Sequence, residues 1–479
     1  MGASPTRLRR TEESRATNQV RIGQQTRKPI WTLLVCGIGV FMASMDTLVV
    51  TNALPVIRQS LHTDLEGLEW TVNSFTLTFA AFLLTGAALG DRFGRRRLLA
   101  IGITTFTIAS AAAALAPSIG ALVAARTVQG IGAAIVVPLT LTLLASAFPP
   151  ERRSVAFGVW SAMSGVGVAL GPAIGGAITE YASWQWIFWI NVPVGALLLP
   201  LIVGLVPESR GGAGRLDPVG VALVTAGLFG VVLGLVRADG HGWTSSEVLA
   251  GLVVGSVLLV AFAVRQASAR SPMVPLELFR IRGFSVANVV SLTMGFGMFG
   301  AVFFGAQYLQ IVEGYGPLGA GLRLLPCSAA PAIAAPLSGA LSDRFGTRQV
   351  VSVALALQAL GVGWLALESQ PDLPYSRIVP PFVLAGVGIG LFLAPMARLS
   401  LGLAPRNLEG IASGTINALR HLGTVLGIAI LGSVFSAYGS YVTPNTFVAG
   451  MRAAMIVGSV VLAIGSVLIL FARDPTADR

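Results

Sequence analysis

Fourteen apolar stretches of membrane-crossing length, separated by short polar connections, constrain this chain more than any other feature. A helix needs about 20 apolar residues to cross the hydrocarbon core. With glycine, proline and charge clusters read as punctuation, the stretches run over 31–52, 70–90, 98–116, 121–146, 154–178, 185–206, 218–237, 247–265, 284–311, 317–341, 348–367, 378–400, 410–437 and 450–471. In lipid every backbone polar group must be satisfied within the segment, which predicts helices. The chain is therefore expected to be an all-α membrane protein with 14 spans. Of its 479 residues 54% are hydrophobic and 11% charged, against about 25% charged in a soluble domain.

The formal charge of +11 points to nucleic acid only until the charges are placed. With the N-terminus inside, 25 of the 32 Lys and Arg residues fall on the cytoplasmic side and four, Arg58, Arg237, Arg377 and Arg452, on the other. That bias fits the positive-inside rule, puts both termini in the cytoplasm and leaves no role for nucleic acid. Arginine outnumbers lysine 31 to one, which points to a GC-rich bacterial genome. The single lysine, Lys28, follows an arginine rather than a glycine, so the chain has no phosphate-binding lysine loop of its own. Cys36 and Cys327 lie in apolar segments without partners at metal spacing and read as small buried side chains. No metal site is expected, and no clustered His, Cys or paired carboxylates suggest an enzyme.

The segment 87–96, read as Gly-Ala-Leu-Gly-Asp-Arg-Phe-Gly-Arg-Arg with one small-residue change, returns at 339–348 as Gly-Ala-Leu-Ser-Asp-Arg-Phe-Gly-Thr-Arg, its aspartate 252 residues further on. Six spans fill 176 residues, so the offset leaves room for two more helices between two six-helix halves. The expected organisation is a disordered cytoplasmic tail (1–29), a first bundle (30–206), a linker (207–217), two extra helices (218–265), a second linker (266–283), a second bundle (284–471) and a short tail (472–479). Duplicated halves with a site between them are a recurring transporter design.

Asp46, in the first span, is the outstanding charge. An unpaired carboxylate in a membrane helix costs several kcal/mol, so it faces protein or water. Arg126 is its natural partner. Asp46 lies six residues before Asn52 and Arg126 five after Ala121, which puts both about 8–9 Å below the outer surface. Two readings stay open: a structural ion pair, or a site that exchanges a proton.

Several strings resemble the major facilitator superfamily, and in particular its fourteen-spanner drug:proton antiporters. They are Gly-Ala-Ala-Leu-Gly-Asp-Arg-Phe-Gly-Arg-Arg-Arg (86–97), Arg-Thr-Val-Gln-Gly-Ile-Gly-Ala-Ala (126–134), Gly-Val-Ala-Leu-Gly-Pro-Ala-Ile-Gly-Gly (167–176), Trp-Gln-Trp-Ile-Phe-Trp-Ile-Asn-Val-Pro-Val-Gly (184–195), the stretch 308–326 and Gly-Ile-Ala-Ser-Gly-Thr-Ile-Asn-Ala-Leu-Arg-His-Leu-Gly (410–423). The resemblance implies the major facilitator fold and a proton-coupled antiporter of the cytoplasmic (inner) membrane. It would export amphipathic drugs or antibiotics by alternating access, as a monomer, with protons as coupling ion and no cofactor. A dedicated exporter of one metabolite is the alternative.

The resemblance also implies roles. Asp46 and Arg126 would couple protons. Gly90, Asp91, Arg92, Gly94 and Arg95, with Asp343 and Arg344 in the second copy, would form a cytoplasmic latch, Asp91 meeting Arg95 and a helix end near Gly410–Ser413. The plainer reading of those arginines is loop anchoring. Gly167, Gly171, Pro172, Gly175 and Gly176 would seal the central path, although a glycine stripe also serves packing alone. Substrate-facing candidates are Phe41, Met42, Asn73, Phe79, Met163, Asn288, Met294, Phe296, Phe299, Asn417, Arg420 and His421. Spans 317–341 and 410–437 contain Arg323, Arg420 and His421 and no acid, which disfavours permanent dications.

Overall fold

The computed structural model describes residues 5–210, 217–269, 272, 276–403 and 408–472, with side chains from Pro29 onward except at 84, 150, 151, 154, 239–241, 299–301, 400, 401, 409 and 410. Thirteen helices among them are long and apolar enough to cross a membrane, and a fourteenth span is α2, bent by 50° around residue 84. The first half comprises α1 (Pro5–Ser60), α2 (Leu65–Phe93), α3 (Arg95–Ala114), α4 (Ile119–Ala147), α5 (Pro150–Tyr181), α6 (Trp186–Trp189) and α7 (Asn191–Leu205). Then come α8 (Pro218–His241) and α9 (Ser246–Ser268). The second half is α10 (Arg282–Ile311), α11 (Pro317–Phe345), α12 (Thr347–Glu368), α13 (Tyr375–Leu403), α14 (Glu409–Tyr438) and α15 (Pro444–Leu468).

Two elements depart from the sequence reading. The tail expected to be disordered continues α1 back to Pro5, as its run of Arg, Gln and Glu, all good helix formers, permits. The membrane-length part of α1 is Pro29–Ser60. The sixth span, Trp186–Leu205, stays helical through Ile190 while its hydrogen-bond ladder is interrupted there, between α6 and α7. Pro193 has no N–H to offer the preceding turn, which removes a rung of that ladder. Elsewhere the ends follow local signals. Asp64, Ser118, Asp217, Ser245 and Thr443 each accept a backbone N–H at the start of a helix.

In the first half α1 packs on α5, α2 and α3 on α4, and α3 on α7; in the second, α10 packs on α14, α12 on α13 and α15, and α11 on α13. The halves meet along α5–α11 and α2–α14. The α8–α9 pair stands outside this frame, and α8 leans on α2 and α14 through Leu77, Val232, Val236, Val425 and Ala429. The repeated Asp-Arg-Phe-Gly segments make equivalent turns between α2 and α3 and between α11 and α12. Each ends on a glycine at positive φ, Gly94 at 106° and Gly346 at 88°, where a side chain would be strained.

Candidate functional site: a buried charge cluster in the first half

The site begins with Asp46 on α1 and Arg126 on α4, 0% and 1% exposed. Arg126 Nη1 donates to Asp46 Oδ2 and, at 2.8 Å, to Gln129 Oε1; its Nε donates to the Thr71 carbonyl at 3.2 Å. The guanidinium carbon sits 4.3 Å over the Phe75 ring and 5.8 Å from that of Phe188. The other carboxylate oxygen, Asp46 Oδ1, accepts from Gln129 Nε2 at 2.9 Å and Asn191 Nδ2 at 3.0 Å. Ser110 Oγ accepts from Asn191 (3.0 Å) and Gln129 (3.3 Å) and donates to the Phe188 carbonyl (3.0 Å).

The equal depth read from the sequence is thus a direct ion pair. Gln129, Asn191, Ser110 and Thr71 escaped the sequence reading. Gln129 stands one turn after Arg126 in the 126–134 string, and Asn191 lies inside the 184–195 string, so both were in view without a reason to turn them inward. Neutral polar side chains carry no penalty large enough to advertise burial, whereas charges do.

This cluster has an uncommon property for a buried pair. Breaking one normally strands an uncompensated charge. Here each charge has neutral partners of its own: Gln129 and Asn191 for the carboxylate, Gln129, the Thr71 carbonyl and the Phe75 face for the guanidinium. The pair can part without leaving either member bare.

The glycine-striped helix α5 lies tightly on α1. A Cβ at Gly167 would sit 2.8 Å from the Phe41 carbonyl oxygen, one at Gly171 3.2 Å from the Met45 carbonyl oxygen, and one at Gly175 2.6 Å from the Val49 carbonyl oxygen. Gly176 faces the other half, with the Pro317 carbonyl 2.3 Å from such a Cβ. Around it the halves are knitted together. Asn52 donates to the carbonyls of Pro172 (3.1 Å) and Pro317 (2.7 Å) and accepts from Gln310 (2.9 Å). The Leu318 N–H donates to Glu180 (2.8 Å), and the Arg58 guanidinium covers the Tyr441 ring at 4.0 Å. Deeper, Ser328 reaches the Ala169 carbonyl at 2.9 Å. Among the described residues no hydrogen bond or ion pair joins the halves beyond that point toward the Asp91 turn. Among the described residues, the polar contacts between the halves gather at the Asn52 end.

At the opposite end Asp91 pairs with Arg95 within its own turn at 2.8 Å. Arg92 is exposed, 5.4 Å from the Phe93 ring. Gly90 abuts Leu139 of α4. The expected contact of Asp91 with the start of α14 is not made by the described residues, and Gly410 lies outside the described side chains. In the second copy Thr347 replaces the partner arginine, and Asp343 turns to Arg398 of α13 instead, while Arg344 lies over Phe345.

The substrate-facing candidates separate. Met42, Asn73, Asn288 and Met294 are closed in by protein, at 1% exposure or less, and Phe79 and Phe296 are also buried. Phe41, Met163, Asn417, Arg420 and His421 are half-buried, and the side chain of Phe299 lies outside the described residues. Composition cannot say which face of a helix turns to the axis. Cys327, expected buried like Cys36, is half-buried.

Comparison with known proteins agrees with this architecture. The family model described as Major Facilitator Superfamily matches residues 36–428 and 314–479. The chain is 36% identical over 414 residues to the multidrug resistance protein Stp of Mycobacterium tuberculosis (strain CDC 1551 / Oshkosh), covering 86% of this chain and 77% of that one. It is 34% identical to the tetracenomycin C resistance and export protein of Streptomyces glaucescens, covering 87% and 78%. Among solved structures, a POT family transporter in complex with 5-aminolevulinic acid superposes with a TM-score of 0.69 at 14% identity, covering 94% of this chain and 96% of that one, which shows the fold. With two helical halves, an extra helix pair between them and a family match running almost end to end, the chain belongs to the Major Facilitator Superfamily.

Proposed function

We propose that this multi-pass membrane protein is a proton-coupled antiporter that exports amphipathic drugs or antibiotics across the cytoplasmic membrane, with both termini in the cytoplasm. The observation that carries this reading is the buried Asp46 cluster: a carboxylate inside the bundle, held by Arg126, Gln129 and Asn191. Relatives named for drug resistance and export supply the cargo class.

The cycle follows from the partners. With Asp46 charged, the ion pair ties α1 to α4. A proton arriving on Asp46 removes the attraction, and Arg126 falls back on Gln129, the Thr71 carbonyl and the Phe75 ring. Because α1 also carries Asn52, at the centre of the polar contacts between the halves, a shift of α1 on α4 is passed to the contacts with Pro172, Pro317 and Gln310. The positive-inside charge bias supports an outside position for the Asn52 end, so the closed contacts around Asn52 form the outer gate of the cycle. The ligand that binds one state better drives the exchange. The chain works as a monomer, with protons the coupling ion and no cofactor.

The test is substrate-induced proton release from purified protein across a compound panel. Release is expected from the native chain and absent in Asp46→Asn, which also loses accumulation against a gradient. Release of equal size in that variant defeats the scheme.

A further inference from the structure

Arg420, on α14, is an arginine within a span that has no acid. Its Nη2 meets only neutral groups, Asn417 Oδ1 at 3.3 Å and His421 Nε2 at 3.2 Å, and its Nε has no partner among the described residues. The side chain is half-buried. Arg323, the other such arginine, is accounted for differently, with its guanidinium 3.7 Å from the Tyr315 ring and 5.3 Å from that of Tyr375. The acids nearest Arg420 along α14 and nearest Phe79 along α2 are Glu409 and Glu69, 11 and 10 residues away, which is about 15 Å of helix or more.

The surroundings are as unfinished as the cation. α10 crosses α14 so closely that a Cβ at Gly295 would lie 1.9 Å from the Arg420 carbonyl oxygen. On that face of α10, at four and seven residues before Gly295, are Ser291 and Asn288. Both are buried, and the Oγ of one and the Oδ1 of the other have no partner. Buried hydrogen-bonding atoms are normally satisfied, and those that are not call for a ligand or water. Across the interface between the halves, His421 stands edge-on to Phe79 at 4.6 Å. Phe79 stacks on Phe75 at 6.2 Å, and Phe75 underlies Arg126.

We propose that Arg420, flanked by Asn417 and His421 and faced by Phe79 of the opposite half, is the recognition site for an amphipathic aromatic anion, the carboxylate or phenolate of the exported molecule. The inference rests on the exporter reading above. A guanidinium offers paired donors that match such oxygens, and in a site of low dielectric an unpaired cation gains more from an arriving anion than it would in water. The Phe79 ring supplies the apolar wall, and through Phe75 it joins the site to the Asp46 pair, so that occupied cargo and proton sites touch one ladder of rings.

The test compares two xanthene dyes of opposite charge, fluorescein and rhodamine 123, binding to the purified full chain at pH 8, read by quenching of its tryptophans. Fluorescein is expected to bind the tighter. Arg420→Gln should weaken fluorescein by about 10-fold or more, the scale of one charged hydrogen-bonded contact, and leave rhodamine 123 within about twofold. Asn417→Asp keeps the arginine and the side-chain shape while placing a carboxylate against the guanidinium. It should give the same loss, and it stands in if the first variant fails to fold. Arg420→Lys should retain most of the anion binding. Equal weakening of both dyes, or fluorescein binding untouched in Asn417→Asp, overturns the proposal. Selective binding by a protein that moves neither dye down a pH gradient upholds the site and counts against export. Gradient-driven efflux of both dyes, unchanged in Arg420→Gln, does the reverse.

Discussion

The two halves share a scaffold and differ in what they bury. The first is organised around a charge: Asp46 and Arg126, with Gln129, Asn191 and Ser110 closing the network. The second has no acid or base in α10 after Arg282. Its interior is a stack of rings, Phe303, Phe304, Phe435, Tyr441 and Phe447, with neighbouring centroids 5.1–5.4 Å apart. Close to the depth of Asp46, counted back from the helix end, α10 carries Gly297 and Met298. A duplicated frame can thus hold its buried ion pair in one half alone. The other half is largely an apolar wall of rings, with Arg420 beside the interface.

The sharpest way to break this contrast is to empty the charged half. Arg126→Leu removes the cation and leaves Asp46 with neutral donors only. Breaking a buried pair usually costs about 3–5 kcal/mol; with Gln129 and Asn191 still donating to Asp46, the loss should fall at the low end of that range. The expected result is loss of gradient-driven efflux and a lower thermal transition. Met298→Leu, at matching depth in the second half, conserves volume and should cost less than about 1.5 kcal/mol with efflux intact. A damaging Met298→Leu would mean that coupling is shared between the halves.

Buried glutamines extend the comparison. Gln129 serves both charges, and Gln129→Leu should cost about 1.5–3 kcal/mol. Gln358 on α12 has an unpartnered Oε1 and donates only to a carbonyl of its own helix. Gln358→Leu is therefore expected to be near neutral in the same thermal measurement.

The turns offer a smaller effect. Alanine is strained at both positive-φ glycines, by about 1 kcal/mol or more. A Cβ at Gly94 meets the Glu208 carboxylate at 3.0 Å, and that carboxylate also holds the Arg96 N–H. A Cβ at Gly346 meets the end of a flexible side chain, Gln349. Gly94→Ala should lower efflux and stability more than Gly346→Ala, and the reverse ranking would say that the second turn is the working latch.

The smallest effect concerns α8 and α9. Burial pushes the Asp217 carboxyl up, but hydrogen bonds from Arg265, the Gly220 N–H and Gln266 outweigh it and hold the group below the usual carboxylate range. A lowered value means that its contribution is complete above the ordinary Asp value of about 3.9 and fades as pH falls through the lowered one. Asn caps as well as Asp, so Asp217→Asn loses chiefly the ion pair with Arg265; it should cost about 1 kcal/mol or less near neutral pH and lose that difference in strong acid, as followed by thermal transitions against pH.

Much of this was legible beforehand, for reasons that can be named. Apolar length gave the spans, because lipid thickness is fixed. The duplicated Asp-Arg-Phe-Gly segments gave the halves, because a tight turn between two spans tolerates few sequences. Asp46 and Arg126 were conspicuous because charges in lipid are costly. Met42, Asn73, Asn288 and Met294 are closed in by protein in this arrangement, and an apolar helix in an apolar surround carries little record of which face turns inward.

By itself the sequence determined the number of spans, the shared depth of Asp46 and Arg126 and the glycine stripe on α5, since each follows from local chemistry and helix rise. Only the tertiary structure decided that Gln129 and Asn191 complete the carboxylate's shell, that Asn52 ties the halves at one end, and that Arg420 is left without an acid. Those depend on how helices far apart in the chain rotate and cross, and neutral polar groups change partners with that rotation at too small a cost to leave a mark in the sequence.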